Sequence, residues 1–450
     1  MTPPAPVSFR EAMRVWAYIG VNSLGGPAGQ IAVMHREVVD RRRWISDGRF
    51  VHALNYCLLL PGPEAQQLAT YLGWLMHGVR GGVAAGALFV LPGFVVMLAL
   101  STVYAVFGSV TWVSGLLYGL QAAVVALVLQ AMVRIARRTL HGPALICIAL
   151  AAFLALFVFA LPFPLVIALA ALAGWQLGRL RPTWLDRHAQ NRSVEPDTDV
   201  LLADDMAVSP AAARSARMAA FAALILWLVP VALLVLVLGT SNLYSQQALL
   251  FSKTAVITFG GAYAVLTYVA QQAVQNYHWL SMGDMATGLG LAETTPGPLL
   301  LVLEFVGFVA AYEHPGSLPP FVAGLCGATL TVWVTFLPCF FFIFIGAPYV
   351  ERLRHNRALR HALTGLGASV VGVIANLAVT FAVATAFAEV HLYSWGPVSL
   401  ELPVLATVKY ASLAISVVAL VLVFRLQQTT LRILAVCAAL GLLASLLAWT

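Results

Sequence analysis

Short glycine and proline motifs break the apolar sequence at four places, and these breaks are the residues best suited to chemistry. Gly25-Gly26-Pro27 and Pro61-Gly62-Pro63 lie in the first half, whereas Gly260-Gly261 and Pro296-Gly297-Pro298 lie in the second. A helix that begins at such a break has backbone N–H groups without helical partners, and their partial positive charge attracts anions. The four breaks therefore predict a site for a small oxyanion. The alternative is that glycine and proline only shape the packing.

Neutral polar side chains flank the breaks and can replace the hydration shell of an anion without trapping it. Asn22, Ser23 and Gln67 belong to this group in the first half, and Thr258 and Thr294 in the second. The residues predicted to bind substrate are Gly25, Gly26, Pro27, Gln30, Asn55, Pro61, Gly62, Pro63, Gln66, Gly260, Gly261, Thr295, Pro296, Gly297 and Pro298.

Three carboxyl side chains lie within or beside apolar segments, where an ionisable group is expensive and points to function. Glu64 follows the first Pro-Gly-Pro motif, Glu293 precedes the second, and Glu304 lies further along. Because burial favours the neutral form of a carboxyl group, we expect these acids to couple protons to transport. The alternative, for Glu304 above all, is a side chain that faces solvent or pairs with an arginine. Lys253 and Lys409 are candidate counter-charges.

The sequence contains no motif for catalysis or for a cofactor. The five cysteines are scattered singly without metal-ligand spacing, and GxSxG and HExxH are missing. The glycines in TGLGLAE follow no strand, which argues against a dinucleotide site. We therefore expect no catalytic residue, metal or cofactor. A membrane-embedded enzyme or a non-transporting scaffold remains the rival class to a transporter.

The composition places these residues in a lipid bilayer. Hydrophobic residues make up 61% of the 450 positions and charged residues only 10%, against roughly 25% in a soluble protein. We therefore predict an all-α polytopic membrane protein. The arginines lie in short clusters between apolar runs, so the net charge of +7 indicates positive-inside topology rather than nucleic-acid binding. The apolar runs are 83–107, 112–133, 143–161, 163–178, 218–239, 325–346, 362–388, 402–424 and 430–449.

The two halves of the chain are repeats. A shift of 235 positions aligns Gly25, Trp44, Ser46 and Gly62 with Gly260, Trp279, Ser281 and Gly297, among others. In this alignment the basic string at 36–43 corresponds to the uncharged segment 271–278, and further along the second copy is basic where the first is uncharged. Inverted repeats require this exchange of charge under the positive-inside rule. We predict a first repeat at 1–181, a hydrophilic cytoplasmic linker at 182–213 and a second, inverted repeat at 214–450. The segments around the breaks span only half a membrane, so we expect re-entrant, broken helices.

The GGP and LPGP motifs, the RRRW string at 41–44 and the later TFGG and PGP together resemble the chromate ion transporter family in its long, two-domain form. The resemblance covers essentially the whole chain. It implies a multi-pass protein of the cytoplasmic (inner) membrane that exports chromate, uses the proton gradient and confers chromate resistance. Sulfate, an isosteric dianion, is the natural competitor. The oligomeric state stays open, with a homodimer as one alternative. Gln30, Glu64 and Glu293 depart from the residues that are common in this family.

Overall fold

The protein is almost entirely helical in a computed structural model that describes residues 7–181, 209–259, 261–347, 357–396 and 398–447. Short 3-10 or π-helical turns extend several of the helices. The helices are α1 Phe9–Asn22, α2 Gly26–His35, α3 Asp47–Cys57, α4 Glu64–Phe107, α5 Thr111–Thr139, α6 Pro143–Phe157, α7 Phe163–Leu180, α8 Pro210–Leu238, α9 Leu243–Ile257, α10 Ala262–Ala270, α11 Met282–Thr294, α12 Val302–Glu313, α13 Pro320–Gly346, α14 Arg357–Ala386, α15 Tyr410–Leu420 and α16 Thr430–Leu446.

Six helices of the described chain, namely α4, α5, α7, α8, α13 and α14, are long and apolar enough to cross a membrane. They confirm the prediction of an all-α polytopic membrane protein. The helices around the breaks are much shorter: α2 has 10 residues and α3 has 11. Within α4, His77 and Gly78 leave the helical conformation, so the segment after the second break ends before the long apolar part begins.

The region after α14 differs from the expected helix over 402–424. The strands β1 Val390–Trp395 and β2 Val398–Pro403 pair in antiparallel register, and α15 begins only at Tyr410. Gly396 turns the chain with a φ of 59°, a conformation that favours glycine. The apolar run therefore begins with the last two residues of β2 and not with a helix, which composition alone does not distinguish.

The helices form two compact units, and each unit takes segments from both halves of the sequence. Unit 1 comprises residues 1–99, 190–261 and 295–355, and unit 2 comprises 100–189, 262–294 and 356–450. In unit 1, α13 packs against α8, α9 and α12. In unit 2, α14 packs against α5, α6 and α7, and α5 packs against α16. The predicted linker lies outside the described residues up to position 208, and its last residues form the first turn of α8.

Local structure repeats at the spacing at which the sequence repeats. The π-helix Arg36–Arg41 has its counterpart 235 positions later in Gln271–Asn276. Arg43 and His278, also 235 apart, both have a positive φ, of 51° and 53°. A left-handed conformation is uncommon for residues other than glycine. Its recurrence at two positions 235 apart therefore supports the repeat.

The hydrogen bonds after these π-helices repeat as well. The Trp44 N–H donates to the Val38 carbonyl at 2.8 Å, and the Trp279 N–H donates to the Ala273 carbonyl at 2.8 Å. The two halves are therefore copies in local structure. Their opposite orientation in the membrane stays a prediction.

Candidate anion site at the chain breaks

The described residues of all four breaks belong to unit 1. Their glycines have left-handed backbone conformations, with φ of 86° at Gly25, 71° at Gly26, 123° at Gly62, 102° at Gly261 and 84° at Gly297. Only glycine adopts such angles without strain, which explains the residue type at each break. Gly260 lies outside the described residues.

Two hydrogen bonds join the breaks in pairs. The Gly62 N–H donates to the Thr258 carbonyl at 2.8 Å, and the Gly297 N–H donates to the Ser23 carbonyl at 3.0 Å. The two donor residues, Gly62 and Gly297, are 235 positions apart, and so are the two acceptor residues, Ser23 and Thr258. The same bond therefore forms twice with the roles of the two copies exchanged, as between elements related by a two-fold axis.

This pairing occupies the N–H groups of both Pro-Gly-Pro motifs, which the sequence predicts as donors to an anion. Both glycines are also closely packed. A Cβ atom on Gly62 would lie 2.8 Å from Nε2 of Gln67 and 2.9 Å from Sγ of Cys339, and one on Gly297 would lie 3.0 Å from the Phe89 carbonyl oxygen. The Pro-Gly-Pro motifs thus hold the breaks together.

The Gly-Gly motifs, in contrast, border open space. Among the described residues, no heavy atom lies within 4 Å of a Cβ placed on Gly25, and only Oε1 of Glu64, at 3.9 Å, approaches one placed on Gly261. No side chain caps α2 at Gly25, so the first-turn N–H groups that follow Pro27 have no capping partner. Room for a small anion and backbone donors therefore coincide at Gly25-Gly26, and Gly261 also borders open space.

Amide side chains line the Pro-Gly-Pro motifs. Gln30 is buried, and its Nε2 donates to the Gly297 carbonyl at 2.5 Å, which joins α2 to the fourth break. Gln67 donates to the Pro61 carbonyl at 2.6 Å, and Gln66 donates to Thr70 at 3.4 Å. The Oε1 atoms of Gln66 and Gln67 are buried without a hydrogen-bond partner among the described residues. Such atoms at a break are available to a polar ligand.

Two of the predicted site residues lie apart from this arrangement or contribute little to it. Asn55 is exposed on α3. Thr295 is buried beside the fourth break, and its hydroxyl donates to Sδ of Met97 at 3.9 Å. The structure therefore brings the glycines, prolines and glutamines together more clearly than it does these two side chains.

The three predicted acids have different surroundings. Glu64 is half-buried in the first turn of α4, beside Gly261. Glu293 belongs to unit 2, where it is buried and accepts a hydrogen bond from the Tyr263 hydroxyl. Glu304 is fully buried in α12, and neither of its carboxyl oxygens has a hydrogen-bond partner in the described part of the chain. In the described part of the chain, Glu304 therefore neither faces solvent nor forms a hydrogen bond with an arginine. The two candidate counter-charges are less buried, Lys253 being exposed and Lys409 half-buried.

Buried polar side chains outside the breaks were not predicted from the sequence. Gln247, Thr331 and Thr335 are fully buried in α9 and α13. In the sequence, each of them is visible only as a polar residue within an otherwise apolar helix. Many membrane helices contain such residues, so the pattern does not single these three out. Within the described residues, no group of three or more His, Cys, Asp or Glu side chains is arranged to hold a metal ion.

Known proteins match this chain in both of its halves. The family model described as Chromate transporter matches residues 10–175 and 245–442. A "Chromate transport protein" of Pseudomonas aeruginosa is 34% identical over 85% of this chain and 83% of its own length. One from Cupriavidus metallidurans is 27% identical over 83% of each chain, and an "Uncharacterized transporter" of Methanocaldococcus jannaschii is 24% identical over 81% of this chain and 82% of its own. No solved structure matches. The chain therefore belongs to the chromate transporter family.

Proposed function

We propose that the protein carries chromate across the cytoplasmic membrane through the breaks of unit 1. Family membership and two relatives named as chromate transport proteins support the substrate class. The observation that carries the proposal is the reciprocal pairing of the breaks, Gly62 with Thr258 and Gly297 with Ser23. A pair of equivalent half-sites suits a carrier that must present one site to two sides in turn.

The chemistry of the site suits a tetrahedral dianion that has to leave again. Backbone N–H groups at the start of α2 supply partial positive charge, and neutral amides such as Gln66 and Gln67 supply further polar contacts. An amide presents its NH2 group to the anion after a rotation of its terminal torsion. None of the predicted substrate-binding residues is an arginine or lysine. An anion held by dipoles is released more readily than one held by ion pairs.

Direction and coupling form the finer part of the proposal. We infer that chromate moves outward, that its movement is coupled to the proton gradient and that resistance to chromate results. Glu64 supports the coupling because its carboxyl borders the open space at Gly261. A proton on that carboxyl would remove the repulsion of a dianion, so binding of the proton and of the anion would be linked.

Sulfate has the same charge and tetrahedral shape as chromate, so it is the expected competitor at this site. An enzyme or a scaffold is the alternative from another class. Either of these would have no use for two equivalent half-sites, and the paired breaks therefore favour a transporter.

Counterflow in proteoliposomes tests the proposal. Vesicles that contain the purified protein and unlabelled chromate should accumulate labelled chromate transiently from outside. Loading with sulfate should drive the same accumulation if sulfate shares the site, and loading with chloride sets the background. Accumulation no greater than this background, with either dianion inside, would show that the protein does not carry these oxyanions.

A further inference from the structure

A second buried polar cluster lies in unit 1, outside the breaks. It consists of Gln247 on α9, Glu304 on α12 and Thr331 and Thr335 on α13, each of which has no exposed surface. Among the described residues, five of their side-chain oxygens have no hydrogen-bond partner: Oε1 of Gln247, both carboxyl oxygens of Glu304 and the two threonine hydroxyls. Native proteins rarely leave buried polar atoms unpaired, because the loss of hydration is then not compensated.

Close contacts between helices bring Gln247 and Thr331 to the same place. A Cβ atom on Gly307 would lie 2.1 Å from Oγ1 of Thr331, and one on Gly327 would lie 2.3 Å from the Gly307 carbonyl oxygen and 3.2 Å from Oε1 of Gln247. Gln247 also donates from Nε2 to the Gly307 carbonyl at 3.0 Å. The three helices α9, α12 and α13 therefore meet at Gly307 and Gly327.

The register of α12 against α13 brings Glu304 to the same cluster. The short connection between the two helices makes them antiparallel neighbours. Glu304 precedes Gly307 by about one helical turn, and Thr335 follows Thr331 by about one turn. Because Gly307 contacts Thr331, the antiparallel register places Glu304 at the level of Thr335, on the helix face that looks toward α13.

The first copy contains the same helix crossing without the buried carboxyl group. A Cβ atom on Gly81 would lie 2.3 Å from the Gly73 carbonyl oxygen, and one on Gly73 would lie 2.6 Å from Cβ of Ala85. By these contacts Gly73, Gly81 and Ala85 correspond to Gly307, Gly327 and Thr331. The offset between the copies is 234 positions at Gly73 and 246 at Gly81 and Ala85, instead of the 235 found at the breaks.

The counterparts of Glu304 and Thr335 in the first copy also differ from them. Thr70, three residues before Gly73, stands in the place of Glu304, and its hydroxyl donates to the Gln66 carbonyl at 2.9 Å. Phe89, four residues after Ala85, stands in the place of Thr335 and is fully buried. The crossing therefore closes in the first copy without an unpaired carboxyl group. Packing does not explain why the second copy has one.

We propose that this cluster binds a monovalent cation, either a proton or Na⁺, whose movement is coupled to that of the anion. A carboxylate surrounded by hydroxyl and amide oxygens is the ligand set that a hard cation prefers, and a bound cation would neutralise the buried charge. The inference rests on the proposed transport function. It places one coupling ion on Glu304, away from the anion.

Other titratable groups on the packed helices leave this role to Glu304. On α9, the Tyr244 hydroxyl donates to the Ala323 carbonyl, and Lys253 is exposed. On α13, Cys326 is exposed, and the Cys339 thiol donates to the Thr335 carbonyl at 3.8 Å. On α12, Tyr312 is half-buried and Glu313 exposed, and the two arginines of α8, Arg214 and Arg217, are exposed.

The test compares gradient-driven accumulation of chromate with counterflow in the same vesicles. A pH gradient and a Na⁺ gradient are imposed separately, with choline as the replacement cation. We expect one of them to drive accumulation by the wild type, which identifies the cation. In Glu304→Gln the ratio of driven accumulation to counterflow should fall by about tenfold, a typical size for coupling between two sites. Glu313→Gln, the same change at an exposed position of α12, should leave the ratio unaltered.

Thr335→Val provides a second variant if Glu304→Gln does not fold. It removes one oxygen without touching the carboxyl group, so it should lower the ratio too, and Thr335→Ser should restore it. The proposal is overturned if neither gradient drives accumulation by the wild type, or if Glu304→Gln and Thr335→Val keep the wild-type ratio. Absence of counterflow in the wild type would instead refute the transport function on which the proposal rests.

Discussion

Replacing Gly261 with leucine is expected to abolish chromate transport while the protein remains folded. Only Oε1 of Glu64 approaches a Cβ atom at this position among the described residues, so a leucine side chain would extend into the space that we assign to the anion. The φ of 102° adds backbone strain of order 1–3 kcal/mol for a residue other than glycine. Counterflow should fall by about 100-fold, a loss that a displaced substrate commonly causes.

Gly239→Leu is the matched control for this substitution. Gly239 also has a left-handed φ, of 79°, and also borders open space, but it ends α8 away from the breaks. The backbone strain is therefore shared, and only the position differs. If both variants reach the membrane in similar amounts and Gly261→Leu still catalyses counterflow at the rate of Gly239→Leu, the anion does not pass Gly261.

Removing the charge of Glu64 is expected to change how chromate binding depends on pH. An ionised carboxylate about 4 Å from a unit negative charge repels it by roughly 4 kcal/mol at an effective dielectric of 20. Glu64 is half-buried, so solvent screening reduces this to about 1–2 kcal/mol, or roughly tenfold in affinity. In the wild type, affinity should therefore fall as the pH rises and the carboxyl group loses its proton.

Glu64→Gln should bind chromate about tenfold more tightly than the wild type at high pH and should lose most of the pH dependence. Proton-driven accumulation should be impaired at the same time. Glu293→Gln should have a smaller effect on binding, because the hydroxyl of Tyr263 already donates to that carboxylate. Binding measured from about pH 4, near the ordinary pKa of a glutamate side chain, to about pH 8.5 distinguishes the variants. A wild-type pH profile in both would remove these two acids from the mechanism.

The sequence predicted the fold class and the positions of the breaks because both depend on local patterns. Long apolar runs specify membrane helices, and glycines such as Gly62 and Gly297 mark backbone angles that other residues avoid. Most of the hairpin of β1 and β2 lies between the runs 362–388 and 402–424, where no element was predicted, and only the last residues of β2 were assigned to a helix instead of a strand. Periodicity in a short apolar run does not separate the two.

The pairing of the breaks could not be predicted from the sequence. That Gly62 bonds to Thr258 rather than to an anion depends on contacts between distant segments, which the spacing of residues does not reveal. For the same reason Glu304 was predicted as an acid in an apolar helix, but its neighbours Thr331 and Thr335 were not. The packing of α12 on α13 places these residues at neighbouring levels of the two helices, and each of their side-chain oxygens is buried.

Labelling of single cysteines tests most directly whether two oppositely oriented copies build the site. Asp40 and Gln275 are equivalent positions, 235 apart, and both are exposed. Each is changed to cysteine in a background without the five native cysteines, and intact cells are treated with a maleimide that does not cross membranes. Labelling after permeabilisation measures the total. If the copies are inverted, one of the two cysteines reacts in intact cells and the other only after permeabilisation. Reaction of both cysteines from the same side would show that the copies have the same orientation.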